Sequence, residues 1–262
     1  MIACEIHAIG LAAPGLPTWD DGARVLRGER AYEPTPLVPH APQLLPPNER
    51  RRATASVRQA FRAAEEAVAG RDATQLATVF AGSDGDLTIL NRICTSLASP
   101  TPTISPTDFH NSVHNAAAGY WGIGIGSRAP STTLAGYDGS FAQGLLEAGL
   151  QIATQRQPVL LVVFDVPAPE PLLRARTLTS AASVALWLAP PQSHAAPLAR
   201  LQLTLCRDPE TALEDAALEA DRQGNPALRA LPLLQAVARG DAAARVVLPI
   251  PGARHLAVSL HA

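Results

Sequence analysis

FHNSVHNAAAGYWGIGIGSRAPSTTLAGYDGSFAQGLLEAGLQI, residues 109–152, is the stretch whose reading decides the fold. It reads as a helix, a Gly-rich turn closed by Pro130, a β-branched run from Ser131 to Ala135, a tight elbow and a second helix. The elbow is Ala135-Gly136-Tyr137-Asp138-Gly139-Ser140. Strand-elbow-helix geometry places position 137 or 138 where a nucleophile would normally be carried. Phe141, Leu145, Leu146, Leu150 and Ile152 give the following helix a broad apolar surface, which predicts a buried central helix. Upstream, Asp108 reads as the cap of a helix that carries both His110 and His114.

The flanking sequence supplies strands and helices in alternation. PVLLVVFDV, residues 158–166, is an almost continuous apolar run between prolines, the pattern of a strand covered on both faces. Residues 2–12 read as a first strand punctuated by Pro14-Gly15, and Trp19 to Arg30 as a short helix. Prolines at 34, 36, 39, 42, 46 and 47 predict an extended surface loop. Asn48 then caps a helix whose first turns hold Glu49 and Arg50, Arg51 and Arg52. Val57, Phe61, Ala64, Ala67 and Val68 form its apolar face, and Gly70 ends it. Residues 77–83 predict a buried strand, Leu87 to Leu97 a helix, and 98–108 a loop rich in Pro, Thr and Ser. Two further strands follow at 179–189 and 198–205, then helices with breaks over 208–240 and short terminal strands. The β-α-β alternation predicts an α/β layered fold in one domain with no internal repeat.

Composition narrows the function. The chain has 262 residues, 47% hydrophobic and 17% charged, with net charge −2, which argues against disorder and against a nucleic-acid footprint. All 21 basic residues are Arg. The absence of Lys removes Schiff-base chemistry and a P-loop lysine together. Cys4, Cys94 and Cys206 are widely spaced and lack CxxC pairing, so neither a disulfide framework nor a zinc knuckle is expected, and a cytoplasmic location fits. The N-terminus carries Glu5 and no basic segment, unlike a signal peptide. The apolar run around Asp165 is too short for a membrane helix.

On these residues the chain resembles the N-terminal half of the β-ketoacyl synthases, the thiolase-fold condensing enzymes. The resemblance rests on ERRRATASVRQAFRAAEEAV, SVHNAAAGYWGIGIGSRAPSTTLA, YDGSFAQGLLEA, PVLLVVFDV and AASVALWLAP in that order. It covers about residues 1–205 and is most specific over 109–152. It implies a thiolase-like layered α-β-α fold, a single N-terminal-type half of a ketosynthase. Residues 1–262 would form one domain, with 206–262 a divergent C-terminal extension. Counting from Arg128 and Pro130, the family's nucleophilic cysteine falls on Asp138, with Tyr137 its neighbour, and neither is a thiol. His194, His255 and His261 do not lie in the contexts of the family's two catalytic histidines, which belong to a second half not seen here.

A ketosynthase relative without its cysteine resembles a chain-length factor, and a half-length one resembles the partner subunits of aryl polyene pigment clusters. The resemblance implies no catalytic residue in this chain and no cofactor. It also implies a heterodimer with a catalytic ketosynthase subunit and acyl carrier protein engaged through that partner. Neither nucleic acid nor membrane is expected as a partner. His110, His114, Asn115, Tyr120, Trp121 and Phe141 are the interface or tunnel candidates.

The residues themselves leave several readings open. His110 and His114 could share a metal, but no third ligand is apparent, so hydrogen-bonded or interface histidines are expected. Asp138 could be a catalytic acid, a cap for the helix at 139–153, or a charge paired with Arg; capping fits helix-terminus chemistry best. Tyr120, Trp121 and Phe141 could line a tunnel or fill a core. Arg50 to Arg52 could attract an acidic carrier protein or be a solvated face. The alternative to a chain-length factor is an independent acyl-thioester hydrolase or transferase on a truncated thiolase scaffold, and a third reading is a stand-alone acyl-binding or scaffold protein without a ketosynthase partner.

Overall fold

VLLVVFD has no polar side chain until its last residue, so β4 (Val159–Asp165) must be covered on both faces. In the computed structural model, which describes residues 2–191 and 196–261, it lies inside a mixed sheet. β4 runs parallel to β2 (Ala77–Gly82) and antiparallel to β5 (Ala182–Ala189), and β2 is parallel to β3 (Ser131–Ala135) at one edge. Beyond β5 the pairing is antiparallel through β1 (Ile2–Ala12), β6 (Ala199–Cys206), β8 (His255–His261) and β7 (Arg245–Pro249). The described order is β3-β2-β4-β5-β1-β6-β8-β7 in one sheet. His194 lies outside the described residues.

Alternation along β4 divides two cores. Val159, Leu161 and Val163 face one side, where Phe141, Leu145 and Ile152 of α7 (Ser140–Gln155) are fully buried with α1 (Trp19–Leu26) and α9 (Leu231–Arg239). Leu160 and Val162 face the other, against α3 (Ala55–Ala67) and α6 (Ala116–Ile125). The result is the expected α-β-α layering. Among the described residues no helix is long and apolar enough to cross a membrane.

Local structure departs from the sequence reading in three places. The helix expected from Asn48 is two: α2 (Pro47–Arg52) ends at extended Ala53, and the side chain of Thr54, not Asn48, caps α3 by accepting from the Val57 amide at 3.3 Å. The helix expected to carry both His110 and His114 is also two. Ser105 caps α5 (Pro106–Asn111), Asp108 instead pairs with Arg92 at 2.6 Å, and His114 lies in the turn before α6. Finally, the Gly-rich segment is helical through Ile125 and turns only at Gly126, whose φ of 67° suits glycine.

The approach of α3 to the sheet is set by Gly10 of β1. A Cβ there would lie 1.9 Å from the Ala63 carbonyl oxygen. Gly10→Ala is therefore expected to force the helix off the sheet and cost about 3 kcal/mol of stability, at the upper end of overpacking effects. Urea denaturation monitored by circular dichroism measures the loss; an unchanged midpoint would refute the close-approach reading.

Candidate functional site

The parallel strands β2, β3 and β4 all end at the same side of the sheet, and their exits converge on the elbow. After β3 the chain turns through Gly136, a single 3-10 turn over Tyr137–Gly139, and then α7. The turn is held internally: Ser140 Oγ donates to the Tyr137 carbonyl at 2.7 Å and accepts from the Gly136 amide at 3.2 Å. Tyr137 takes the left-handed φ of 51°, a conformation costly for a side-chain-bearing residue. The two flanking glycines have negative φ and serve close packing instead. A Cβ on Gly139 would lie 2.4 Å from Pro251 Cδ and 3.1 Å from the Pro249 carbonyl oxygen, so the turn after β7 buttresses the elbow.

Arg176, in the segment between β4 and β5, binds the elbow from the other side. Its Nη1 donates to Asp138 Oδ1 at 2.8 Å and its Nε to Asp84 Oδ2 at 2.9 Å. Its guanidinium carbon lies 3.9 Å from the centroid of the Tyr137 ring, a cation–π contact. Burial works against this charge, but the bonds to Asp138 and Asp84 outweigh it and hold the Arg176 pKa above its ordinary value. Asp138 therefore does not cap α7, since no side chain caps that helix; it is an ion-pair partner within the chain.

Below Arg176 the site becomes more buried. Asp165, at the end of β4, is 5% exposed; its Oδ1 accepts from the Ser83 amide at 2.8 Å and lies 2.6 Å from Ser83 Oγ. Burial pushes its carboxyl up to about 7, against the pull of the Ser83 hydrogen bonds and the Arg176 charge. Asp165, Ser83 and Asp84 border a cavity with Asp86, Asn111 and His114. Its volume of about 30 Å³ accommodates one or two waters and no acyl chain.

The candidates chosen from sequence are dispersed. Tyr137, Asp138 and His114 lie at or beside this site, whereas His110 and Asn115 are exposed away from it. Asn115 precedes α6 without a side-chain cap bond, and His110 makes an edge contact with the Tyr120 ring. Tyr120 and Trp121 are buried in the core under α3, and Phe141 in the core under α7, so none of the three borders the cavity. Cys4 is buried and its thiol pushed up to about 12 by burial and by Glu5, far from reactive. Among the described residues no cluster of His, Cys, Asp or Glu could hold a metal. Arg176, Asp84 and Ser83 were not legible as site residues. Asp165 had one signal, an acidic residue ending an otherwise apolar strand.

The profile of the β-ketoacyl synthase N-terminal domain matches residues 24–249. No curated protein matches the chain. Among solved structures, the ketosynthase (ApeO) in complex with its chain length factor (ApeC) from Xenorhabdus doucetiae is 24% identical with a TM-score of 0.76. That match covers 99% of this chain and 100% of that one. The ishigamide ketosynthase/chain length factor is 13% identical with a TM-score of 0.76, covering 100% and 99%. A type II polyketide synthase acyl-carrier protein in complex with its ketosynthase is 11% identical, again with a TM-score of 0.76 over 100% and 99%. At these identities the likeness establishes a shared fold.

The Asp165 carboxyl gives a pH signature. Its folded value of about 7 lies above the unfolded value of about 3.9, so the fold binds this proton more tightly than the unfolded chain does. Its contribution to stability is therefore lost as pH rises from about 4 to about 7 and stays level above that. The melting temperature of Asp165→Asn, measured beside the parent, is expected to gain on the parent across that window. A constant difference between the two would show that Asp165 titrates normally.

Proposed function

The chain belongs to the β-ketoacyl synthase N-terminal-domain family, and from that premise we propose that it is a non-catalytic subunit resembling a chain-length factor. It would pair with an active β-ketoacyl-carrier-protein synthase and shape its acyl tunnel in polyketide or aryl polyene synthesis. The observation that carries this reading is the elbow itself. The position expected for a thiol holds Asp138 and Tyr137, and both are engaged by Arg176. A carboxylate tied into an ion pair is a poor acyl acceptor. The small cavity beside it has no room for a substrate chain.

Two surface features support a protein partner. β3 is the edge strand beside β2, with its outer backbone groups open to pairing. Between residues 90 and 113 Leu90, Leu97, Ile104, Phe109 and Val113 are exposed, Phe109 by 67%. Large exposed apolar side chains of this kind mark interaction surfaces. The acyl carrier protein would be engaged through the ketosynthase, and the tunnel would lie where the two subunits meet.

Co-expression with the neighbouring ketosynthase is expected to give a heterodimer on size-exclusion chromatography, with product length altered when this chain is deleted. Phe109→Glu with Val113→Glu is expected to weaken the complex at least tenfold while leaving the isolated chain folded. Absence of a complex, or thioester hydrolysis by the isolated chain that Asp138→Ala abolishes, would overturn the proposal in favour of an independent acyl hydrolase.

A further inference from the structure

β7 ends the sheet on the side away from β3. It pairs with β8 in antiparallel register, Val246 opposite Val258 and Val247 opposite Ala257. In such a ladder alternate residues turn both backbone groups to the neighbouring strand, and those between turn them away. Val247 is one of those turned away: its N–H donates to Thr211 Oγ1 at 2.9 Å, and its carbonyl accepts from the Thr211 amide at 2.9 Å. A single threonine thus occupies both groups that a further strand would need at the centre of β7. Arg245 and Pro249 share the outward direction by the same alternation. Asp208 holds the Arg245 guanidinium at 2.5 Å, and Pro249 has no N–H to offer.

The strap that carries Thr211 is not a strand. Residues 207–213 have no regular structure, so they end the sheet where a further strand would only move its edge outward. They are fastened at short intervals. Glu210 accepts from Arg222 at 3.0 Å and from Arg229 at 3.3 Å, and the Leu213 amide donates to Glu219 at 2.9 Å. Arg222, in α8 (Ala216–Gly224), is 1% exposed and donates to both oxygens of Glu219 at 2.7 Å. A buried guanidinium stripped of a carboxylate is strongly destabilising, so the bond to Glu210 keeps the strap in place.

β3, at the opposite edge, pairs with β2 alone. The Pro130 carbonyl accepts from the Thr78 amide and the Gly136 amide donates to the Gly82 carbonyl, so the even-numbered residues of this stretch turn to β2 and Thr133 turns outward. A sheet with two different free edges can join copies of itself head to tail, and such contacts, when they do not close, build open filaments. We propose that Thr211 is an edge guard: it keeps a second copy of this chain from docking its β3 on β7, and so keeps the sheet from growing into a chain of subunits. β3 and β7 are each five residues long, and β3 contains no proline. Two β7 strands crossing at Val247 would instead set Arg245 against Pro249, where a donor is missing. The guard is a property of this chain alone and stands whichever partner β3 takes.

Sedimentation velocity of the full-length chain over a wide range of concentration tests the guard. Thr211→Pro removes the amide donor to Val247, Thr211→Ala removes the hydroxyl acceptor, and Thr211→Ser keeps both groups. The parent and Thr211→Ser are expected at two subunits or fewer, and the other two variants in larger species that grow with concentration. Adding Thr133→Pro, which removes an outward N–H of β3 and no bond to β2, is expected to return Thr211→Pro to two subunits or fewer. Hydrogen exchange at the Val247 amide is expected to be slow in the parent and at least tenfold faster in Thr211→Ala. A Val247 amide that exchanges in the parent as fast as an open edge overturns the proposal, a result that needs no variant to fold. So does a folded Thr211→Pro or Thr211→Ala that stays at two subunits or fewer at the highest concentration. Larger species that persist after Thr133→Pro overturn it as well, because β3 is then not what docks on β7.

Discussion

β4 has no face that can meet water, and the architecture follows from that constraint. A strand buried on both sides needs a helical layer above and below, and here α7 supplies one and α3 with α6 the other. Parallel pairing with β2, and of β2 with β3, requires crossovers that return the chain to the same end of the sheet. The exits of three strands are thereby gathered in one place. Open α/β sheets place their working groups at such carboxyl ends because loops, not side chains on the sheet, meet there. Ser83, Tyr137 and Asp165 are neighbours for this topological reason, although they come from three separate parts of the chain.

That gathering has an electrostatic cost, met locally. Three carboxylates, Asp84, Asp138 and Asp165, stand near the strand ends with Arg176 as the cation that touches two of them. An exposed pair contributes little to stability, but Arg176 is only 12% exposed, so its bonds act in a medium that screens poorly. Asp165, the most buried, has its carboxyl pushed up to about 7 by that burial. The strained backbone of Tyr137 is held by packing on one side, through the Pro249–Pro251 turn against Gly139, and by the Arg176 stack on the other.

The elements were largely legible because each announces itself locally. The strand at 131–135, the helix at 87–97 and the first strand at 2–12 fall where β-branched runs and apolar spacing put them. Boundaries failed where a competing short-range bond won, as when Thr54 and Ser105 captured caps assigned to Asn48 and Asp108. The site was only half legible. The elbow could be located from its glycines, but which residue would bear the positive φ could not, because the glycines are needed for close approach and the strain passes to Tyr137. Arg176 was invisible for a different reason. Its partners lie 38 and 92 positions away, and no spacing rule reaches that far.

The position of β1 bears on how the chain reaches this structure. Strand β1 lies between β5 and β6, pairing Glu5 with Ala189 and Ile2 with Leu203. Neither neighbour exists until the chain far downstream of it has emerged. Until then β1 presents two open edges, and a sheet whose middle strand waits for distant partners is dominated by long loop closures. Such a topology folds late and as a whole, so the nascent segment depends on being kept from other open strands in the meantime.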